Sequence, residues 1–197
     1  FNLLTALGNL FGLGGSSLVS RMMGAKNQKD IKFVSAFCIW GGAGITFLFS
    51  MATYLFRAPL LDFLGASPDT YGYAEDYLFW VVVLGGVPTM ISLALGHFLR
   101  SEGHAKQASG GMMFGGILNV ILDPVFIFLF QLDVAGAAIA TAFSNVASVI
   151  FFVAQYIHLG GKTAVSLNPR YFTFRFTRPI FSVGLASALA TALGNAS

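Results

Sequence analysis

The chain has 197 residues, 56% of them hydrophobic and 10% charged, with 23 Gly, 21 Phe and a mean hydropathy of +0.76. A soluble domain carries roughly 25% charge, so this composition excludes an ordinary water-soluble globule, and its wealth of aromatic and branched residues excludes disorder. Collagen-like and disulfide-scaffold readings fail as well, because there is no Gly-x-y period and Cys38 is the only cysteine.

What remains is a polytopic, all-α transmembrane bundle. Apolar runs cover 1–20, 33–56, 77–99 and 134–161, and the run 107–132 is interrupted only by Asp123. Each reaches the roughly 20 residues that a helix needs to cross ~30 Å of hydrocarbon. A further run, 179–197, reaches the end of the chain, and Phe1 stands inside an apolar stretch with no signal-peptide pattern, so the expectation is an internal piece of a longer protein.

The net charge of +3 reads as an orientation signal once the charges are placed. With loops assigned alternately to the two sides, ten of eleven Lys/Arg fall on one side: Arg21, Lys26, Lys29, Lys32, Arg100, Lys106, Lys162, Arg170, Arg175 and Arg178. On the other, Arg57 stands alone against Asp62, Asp69, Glu75, Asp76 and Asp133. This positive-inside bias makes the first side cytoplasmic and leaves no reason to invoke a nucleic-acid partner.

In chain order, the first span carries Gly12, Gly14, Gly15, Ser16 and Ser17, small residues that let transmembrane backbones approach closely. A cytoplasmic loop Arg21–Lys32 follows, then a second span with Gly41, Gly42, Ala43 and Gly44. The external loop 57–76 holds Pro59, Pro68 and most of the external acids, and Tyr71, Tyr73, Tyr77 and Trp80 mark re-entry at the interface. Pro88 removes a backbone donor from the third span and predicts a kink there. The fourth span contains Gly111 and Gly115, then Asn119, Asp123 and Pro124, and the fifth carries Thr141 and Asn145. Residues 160–178 read as a cytoplasmic connection lying against the headgroups, in which Phe172, Phe174 and Phe176 alternate with Thr173 and Arg175. The last run starts at Pro179, an acceptable first helical residue. The near-repeat Thr5–Asn9 and Thr191–Asn195 is too short to establish an internal duplication.

Asp123 is the residue on which a functional reading turns. A charge near the bilayer centre costs about 2.5–3.5 kcal/mol on insertion scales, so an acid there reads first as functional, a proton carrier or a cation ligand, with a protonated Asp bonded to a neighbouring helix purely for packing as the alternative. Asn119 lies one turn earlier on the same face, and Pro124 withholds the donor that the Val120 carbonyl would otherwise meet. Carboxylate, amide and freed carbonyl in one place are what a small-cation site at a helix irregularity requires. Thr141 and Asn145 repeat the four-residue spacing on the next helix, with packing the plainer reading for Asn145.

Other constellations are weaker. Gly161-Lys162-Thr163 lacks the upstream glycine of a phosphate loop, since Tyr156 stands there. His97, Glu102 and His104 straddle a helix end and read as a solvated loop, so no metal site is expected. His158 reads as interfacial and Cys38 as a small apolar filler. No Ser–His–Asp or Cys–His set shares one membrane depth, so no enzyme and no catalytic residues are expected.

The segments Gly14–Gly24, Arg100-Ser-Glu102-Gly103-x-x-Lys106, Asn119-Val-Ile-Leu-Asp123-Pro124 and Gly136-Ala-Ala-Ile-Ala-Thr141 resemble the multidrug and toxic compound extrusion (MATE) family, closest to its bacterial MepA- and DinF-like branches. The resemblance implies twelve helices in two six-helix lobes, of which residues 1–159 are helices two to six, 160–178 the inter-lobe linker and 179–197 the start of helix seven. It implies a multi-pass protein of the bacterial cytoplasmic membrane that exports cationic or amphiphilic drugs in exchange for protons or sodium ions. No other cofactor is implied, and the full two-lobe chain is expected to work as a monomer. The family's ion-coupling pattern falls on Asn119, Asp123, Pro124 and Thr141. The polar helix-four residue of some relatives is replaced here by Gly96 or a neighbour, which leaves the coupling ion open. The runner-up is a lipid-linked oligosaccharide flippase of the wider superfamily, whose cavity would be lined with basic residues. No Lys or Arg interrupts the runs above.

Overall fold

In a computed structural model, residues 2–63, 65 and 70–194 are described; Pro68, Asp69 and Asn195 lie outside them. The described residues form α1 (Asn2–Gly24), α2 (Gln28–Ala36), α3 (Gly42–Leu55), α4 (Arg57–Phe63), α5 (Tyr71–Leu78), α6 (Gly86–Ser101), α7 (Ala105–Pro124), α8 (Asp133–Leu159) and α9 (Thr177–Gly194), with no strand among them. Three π-helical turns, Phe37–Gly41, Phe79–Leu84 and Val125–Leu129, prolong these helices within the spans. Four stretches are long and apolar enough to cross a membrane: Leu3–Gly24, Gln28–Leu55, Ala105–Leu129 and Asp133–Lys162. A fifth is the pair Tyr71–Leu84 and Gly86–Ser101, bent by 46°.

The loops are shorter than the charge pattern suggests. Charged residues end the membrane-embedded stretch but need not end a helix, and α1 and α2 run on into the basic segment, leaving a turn around Lys26 at φ 57°. Likewise α4 and the first turns of α5 fold much of the expected outer loop into helix, with Arg57 paired to Glu75 at 2.6 Å and stacked on Tyr54. The bend falls at Gly85, one turn before Pro88, because a proline ring collides with the carbonyl four residues earlier and breaks the helix there rather than at itself. Similarly α9 begins at Thr177, placing Pro179 in its first turn, where no intrahelical donor is needed.

Helix α1 is the hub. Because lipid is as apolar as leucine, burial alone gives no reason for spans to associate, and close approach must supply it. The small residues of α1 meet three different neighbours. A Cβ on Gly12 would lie 2.7 Å from the His97 ring of α6, and one on Gly15 2.5 Å from Cys38 Sγ. On Gly14 it would lie 2.5 Å from the Ile180 carbonyl of α9. Gly184 of α9 sits reciprocally against the Leu10 backbone. Gly42 leaves room for Met90 and Phe11, whereas Gly44 faces open space, so only part of that glycine run is a packing device. Phe11, Val19, Ile31, Cys38, Met90, Phe98, Phe152 and Ile180 form the buried interior, and large residues such as Leu48, Val120, Phe128 and Ile157 cover the outside. An apolar exterior on this scale fits contact with lipid.

At the basic end the 160–176 connection docks on protein rather than resting on headgroups alone. Glu102 Oε1 accepts the N–H groups of Ala164 at 2.7 Å and Val165 at 3.2 Å, and Oε2 accepts the Thr163 hydroxyl at 2.7 Å. The Ser35 hydroxyl oxygen accepts the Ser166 N–H at 3.0 Å, and the Trp40 indole donates to the Leu167 carbonyl at 3.0 Å. Phe37 stacks on Phe172 and meets Phe174 edge-on.

Two outcomes follow from these contacts. Gly184→Ala drives a methyl into the Leu10 backbone and lowers stability by about 1–3 kcal/mol, while Gly44→Ala is neutral or stabilising by up to about 1 kcal/mol; thermal melts of the detergent-solubilised protein read both. Glu102→Ala leaves the Ala164 N–H without its acceptor and the Val165 N–H with the Thr163 hydroxyl alone, at 3.1 Å, and amide exchange at 163–166 rises while that of the α1 interior stays unchanged.

Candidate functional site

Residues 119–123 project from the outer half of α7, and α8 returns beside it after a tight turn with Gln131 at φ 54° and Asp133 at φ 44°. Gly136 makes this return possible, since a Cβ there would lie 2.9 Å from the Phe126 backbone. Lower down, Gly111 and Gly115 accommodate Phe152 and Ser148 of α8. The two helices therefore run close enough for short polar side chains to meet.

They meet around Asn119. Its Nδ2 donates to Asp123 Oδ1 at 3.3 Å and to Thr141 Oγ1 at 3.4 Å, and the Thr141 hydroxyl donates to the Ala137 carbonyl at 2.9 Å. Asp123, Asn119 and Thr141, singled out separately in the sequence, thus form one cluster, each half-buried. Among the described residues the one ion pair is Arg57–Glu75, so no cationic side chain neutralises Asp123. Nor do they include any group of three His, Cys, Asp or Glu placed to hold a metal. The oxygen set of carboxylate, Thr141 hydroxyl and nearby carbonyls suits a proton or a hard monovalent cation. Pro124 ends the regular part of α7, after which the span continues as the Val125–Leu129 π-helical turn.

Asn145 points elsewhere. Its Nδ2 donates to Thr89 Oγ1 on α6 at 2.8 Å, and Thr89 in turn donates to the Gly85 carbonyl at 2.7 Å. Thr89 was not visible as a functional residue in the sequence: a lone threonine one position after a proline gives no pattern, and its partner is 56 positions away. Glu102, which the sequence places in a solvated loop, instead holds backbone that comes some 60 residues later. Cys38 is a free, buried thiol packed against α1, as a filler would be.

A separate apolar cavity of about 870 Å³ opens between the start of α1, the end of α3, α4 and α5. Leu4, Phe49, Thr53, Phe56, Tyr73 and Val134 are among its walls, and Asp123 is not. It falls within the size range of small-molecule sites.

The sequence model of the MatE family matches residues 1–125. The multidrug export protein MepA of Staphylococcus aureus (strain NCTC 8325 / PS 47) is 34% identical over 193 residues, covering 98% of this chain and 43% of that protein. MepA of Staphylococcus saprophyticus is 36% identical over the same shares. A solved structure described as the inward-facing conformation of a multidrug resistance MATE family transporter of the MOP superfamily superposes with a TM-score of 0.89 at 27% identity, over 98% of this chain and 44% of that one. Its outward-facing counterpart gives 0.80 at the same identity, over 97% and 42%. The chain thus spans less than half the length of these relatives. With the family's sequence model matched over more than half of its residues, the chain belongs to the MatE, or multidrug and toxic compound extrusion, family.

Proposed function

We propose that the protein to which this chain belongs is a secondary active exporter of cationic or amphiphilic small molecules, driven by inward movement of protons or sodium ions through alternating access. The observation that supports this reading is the Asp123–Asn119–Thr141 cluster: an acid within an apolar helix, bonded by an amide at 3.3 Å and paired with no cation among the described residues. An ion bound at that position would differ in affinity between two arrangements of the helices, so its occupancy can do work on them. The names of the staphylococcal relatives, multidrug export proteins, agree with drug-like cargo.

Within this reading Asp123 carries the ion, Asn119 orients its carboxyl group, and Thr141 fixes Asn119 while offering a further oxygen. The half-bonded state of Asp123 leaves its second oxygen able to meet either ion. A flippase of the wider superfamily would need cationic side chains to hold lipid phosphates, and the cluster holds one acid and no base.

Reconstituted full-length protein tests the proposal. Asp123→Asn keeps the shape and hydrogen-bonding capacity but cannot change charge; dye or drug efflux driven by an ion gradient falls to the level of empty vesicles while insertion and folding persist. Efflux at the wild-type rate would sink the proposal. Thr141→Val removes one acceptor of the Asn119 amide, and the half-saturating ion concentration rises about 2- to 10-fold, the worth of one hydrogen bond. Running the wild type and Thr141→Val under a sodium gradient and then under a proton gradient identifies the coupling ion.

A further inference from the structure

The bend at Gly85 is bordered by polar groups from three helices. Pro88 has no N–H for the Leu84 carbonyl, and the Gly85 N–H reaches five residues back to the Trp80 carbonyl at 2.9 Å. The carbonyls that such a break exposes must be met from within the protein, because hydrocarbon offers no donor. The Ser50 hydroxyl of α3 donates to the Val82 carbonyl at 2.7 Å, and the Gly85 carbonyl accepts both the Thr89 N–H at 2.9 Å and the Thr89 hydroxyl at 2.7 Å. The Asn145 amide of α8 completes the set, donating to Thr89 Oγ1 at 2.8 Å.

The border also contains a group left without a partner. Thr46 of α3 is fully buried, yet its hydroxyl makes no hydrogen bond among the described residues, and its methyl lies 3.5 Å from the Cβ position of Gly86, directly after the bend. Ser144, which precedes Asn145 in α8 but borders Gly115 of α7 rather than the bend, is the other buried hydroxyl that donates to nothing among the described residues. An unpaired hydroxyl in a low-dielectric interior is costly, and it is satisfied if the exposed carbonyls turn toward it. The bend therefore has donors for more than the one arrangement that it occupies.

Asn145 stands one helical turn from Thr141, about 6 Å along a single continuous helix. Thr141 belongs to the Asp123 cluster and Asn145 to the bend. We propose that Thr89 and Asn145 form a clasp through which ion occupancy at Asp123 sets the angle of the span at Gly85. Thr89 is then a positioning residue, which acts through Asn145 and α8 without touching the ion. A change at Asp123 that releases or redirects Asn119 shifts Thr141 and the helix that bears it; Asn145 moves with them, and the Thr89 hydroxyl is freed from or pressed onto the Gly85 carbonyl. This inference rests on the reading of Asp123 as the ion-coupling acid.

Pulsed distance measurements between spin labels at Asp76 and Arg100, one on each arm of the bent span, read the clasp in the reconstituted full-length protein, beside ion-driven transport and drug affinity. Wild-type protein shifts its distance distribution when the coupling ion is added. Thr89→Val keeps the shape but not the hydroxyl; it loses the shift and about 2- to 10-fold of ion-driven transport, while drug affinity in the absence of an ion gradient stays within about twofold. Thr89→Ser restores both. Asn145→Leu has the same effect as Thr89→Val, and the double variant is no worse than either single one, because the two act on one interaction. The clasp is overturned if Thr89→Val keeps the ion-dependent shift, if Thr89→Ser fails as Thr89→Val does, or if the wild type shows no shift. Asp123→Asn, measured in parallel, separates the two ideas. A shift lost there and kept in Thr89→Val defeats the clasp alone, and a shift kept in both defeats the coupling reading with it.

Discussion

The constraint on which this fold depends is that helices in lipid gain little by hiding apolar surface from an equally apolar solvent. They are held by contact at short range, and α1 provides it by giving up side chains. Gly12, Gly14 and Gly15 fall on different sides of the helix, so α6, α9 and the Phe37–Gly41 turn each approach its backbone from a different direction. Phe11, Phe98 and Ile180 then fill the spaces between those crossings. Every later element is placed relative to this hub: α6 carries the bend, α8 packs on α6, and α7 is brought to α8 by Gly111, Gly115 and Gly136. The polar cluster is thus reached from the organising helix through α6, which packs on both α7 and α8.

The second constraint is that exposed carbonyls inside a membrane must find donors locally. Three spans contain a π-helical turn, and such turns leave carbonyls that ordinary helix geometry would have paired. The short hydroxyl side chains scattered through these helices therefore have a common role. Ser50 and Thr89 serve the bend at Gly85, and Ser16, Thr53 and Ser148 bond back to carbonyls three or four residues earlier. Their presence reflects the needs of backbone in hydrocarbon, not polarity for its own sake.

Local pattern made part of this legible in the sequence. Spans show themselves by length and hydropathy, and Asp123, Asn119 and Thr141 show themselves because a charge within an apolar run and a four-residue spacing are both local signals. Pro88 likewise marks the span that bends, and the bend lies one turn before it because the collision of a proline is with a carbonyl that precedes it. Glu102 and Thr89 stayed hidden: a side chain whose partner lies 56 or 62 residues away leaves no mark in its own neighbourhood. Periodicity reports the face of a helix, but which helix lies against that face is a property of the whole bundle.

The two ends of the molecule also differ in how tightly their acids are held, and the difference bears on what each acid can do. Glu102 has three short partners at 2.7, 2.7 and 3.2 Å, a saturated arrangement that fixes a loop and resists change. Asp123 has one contact at 3.3 Å, beyond the usual range of about 2.7–3.2 Å, from an amide that it shares with Thr141 at 3.4 Å. A fully bonded carboxylate inside the membrane would be a rivet, too well satisfied to respond to an arriving ion. One that is bonded loosely, beside an amide that has two acceptors, is the arrangement that the proposed ion coupling would require, since an ion of modest affinity could tip it. On the proposed reading, loose bonding at Asp123 is no flaw in the packing but the property that would let a small ion act on the helices around it.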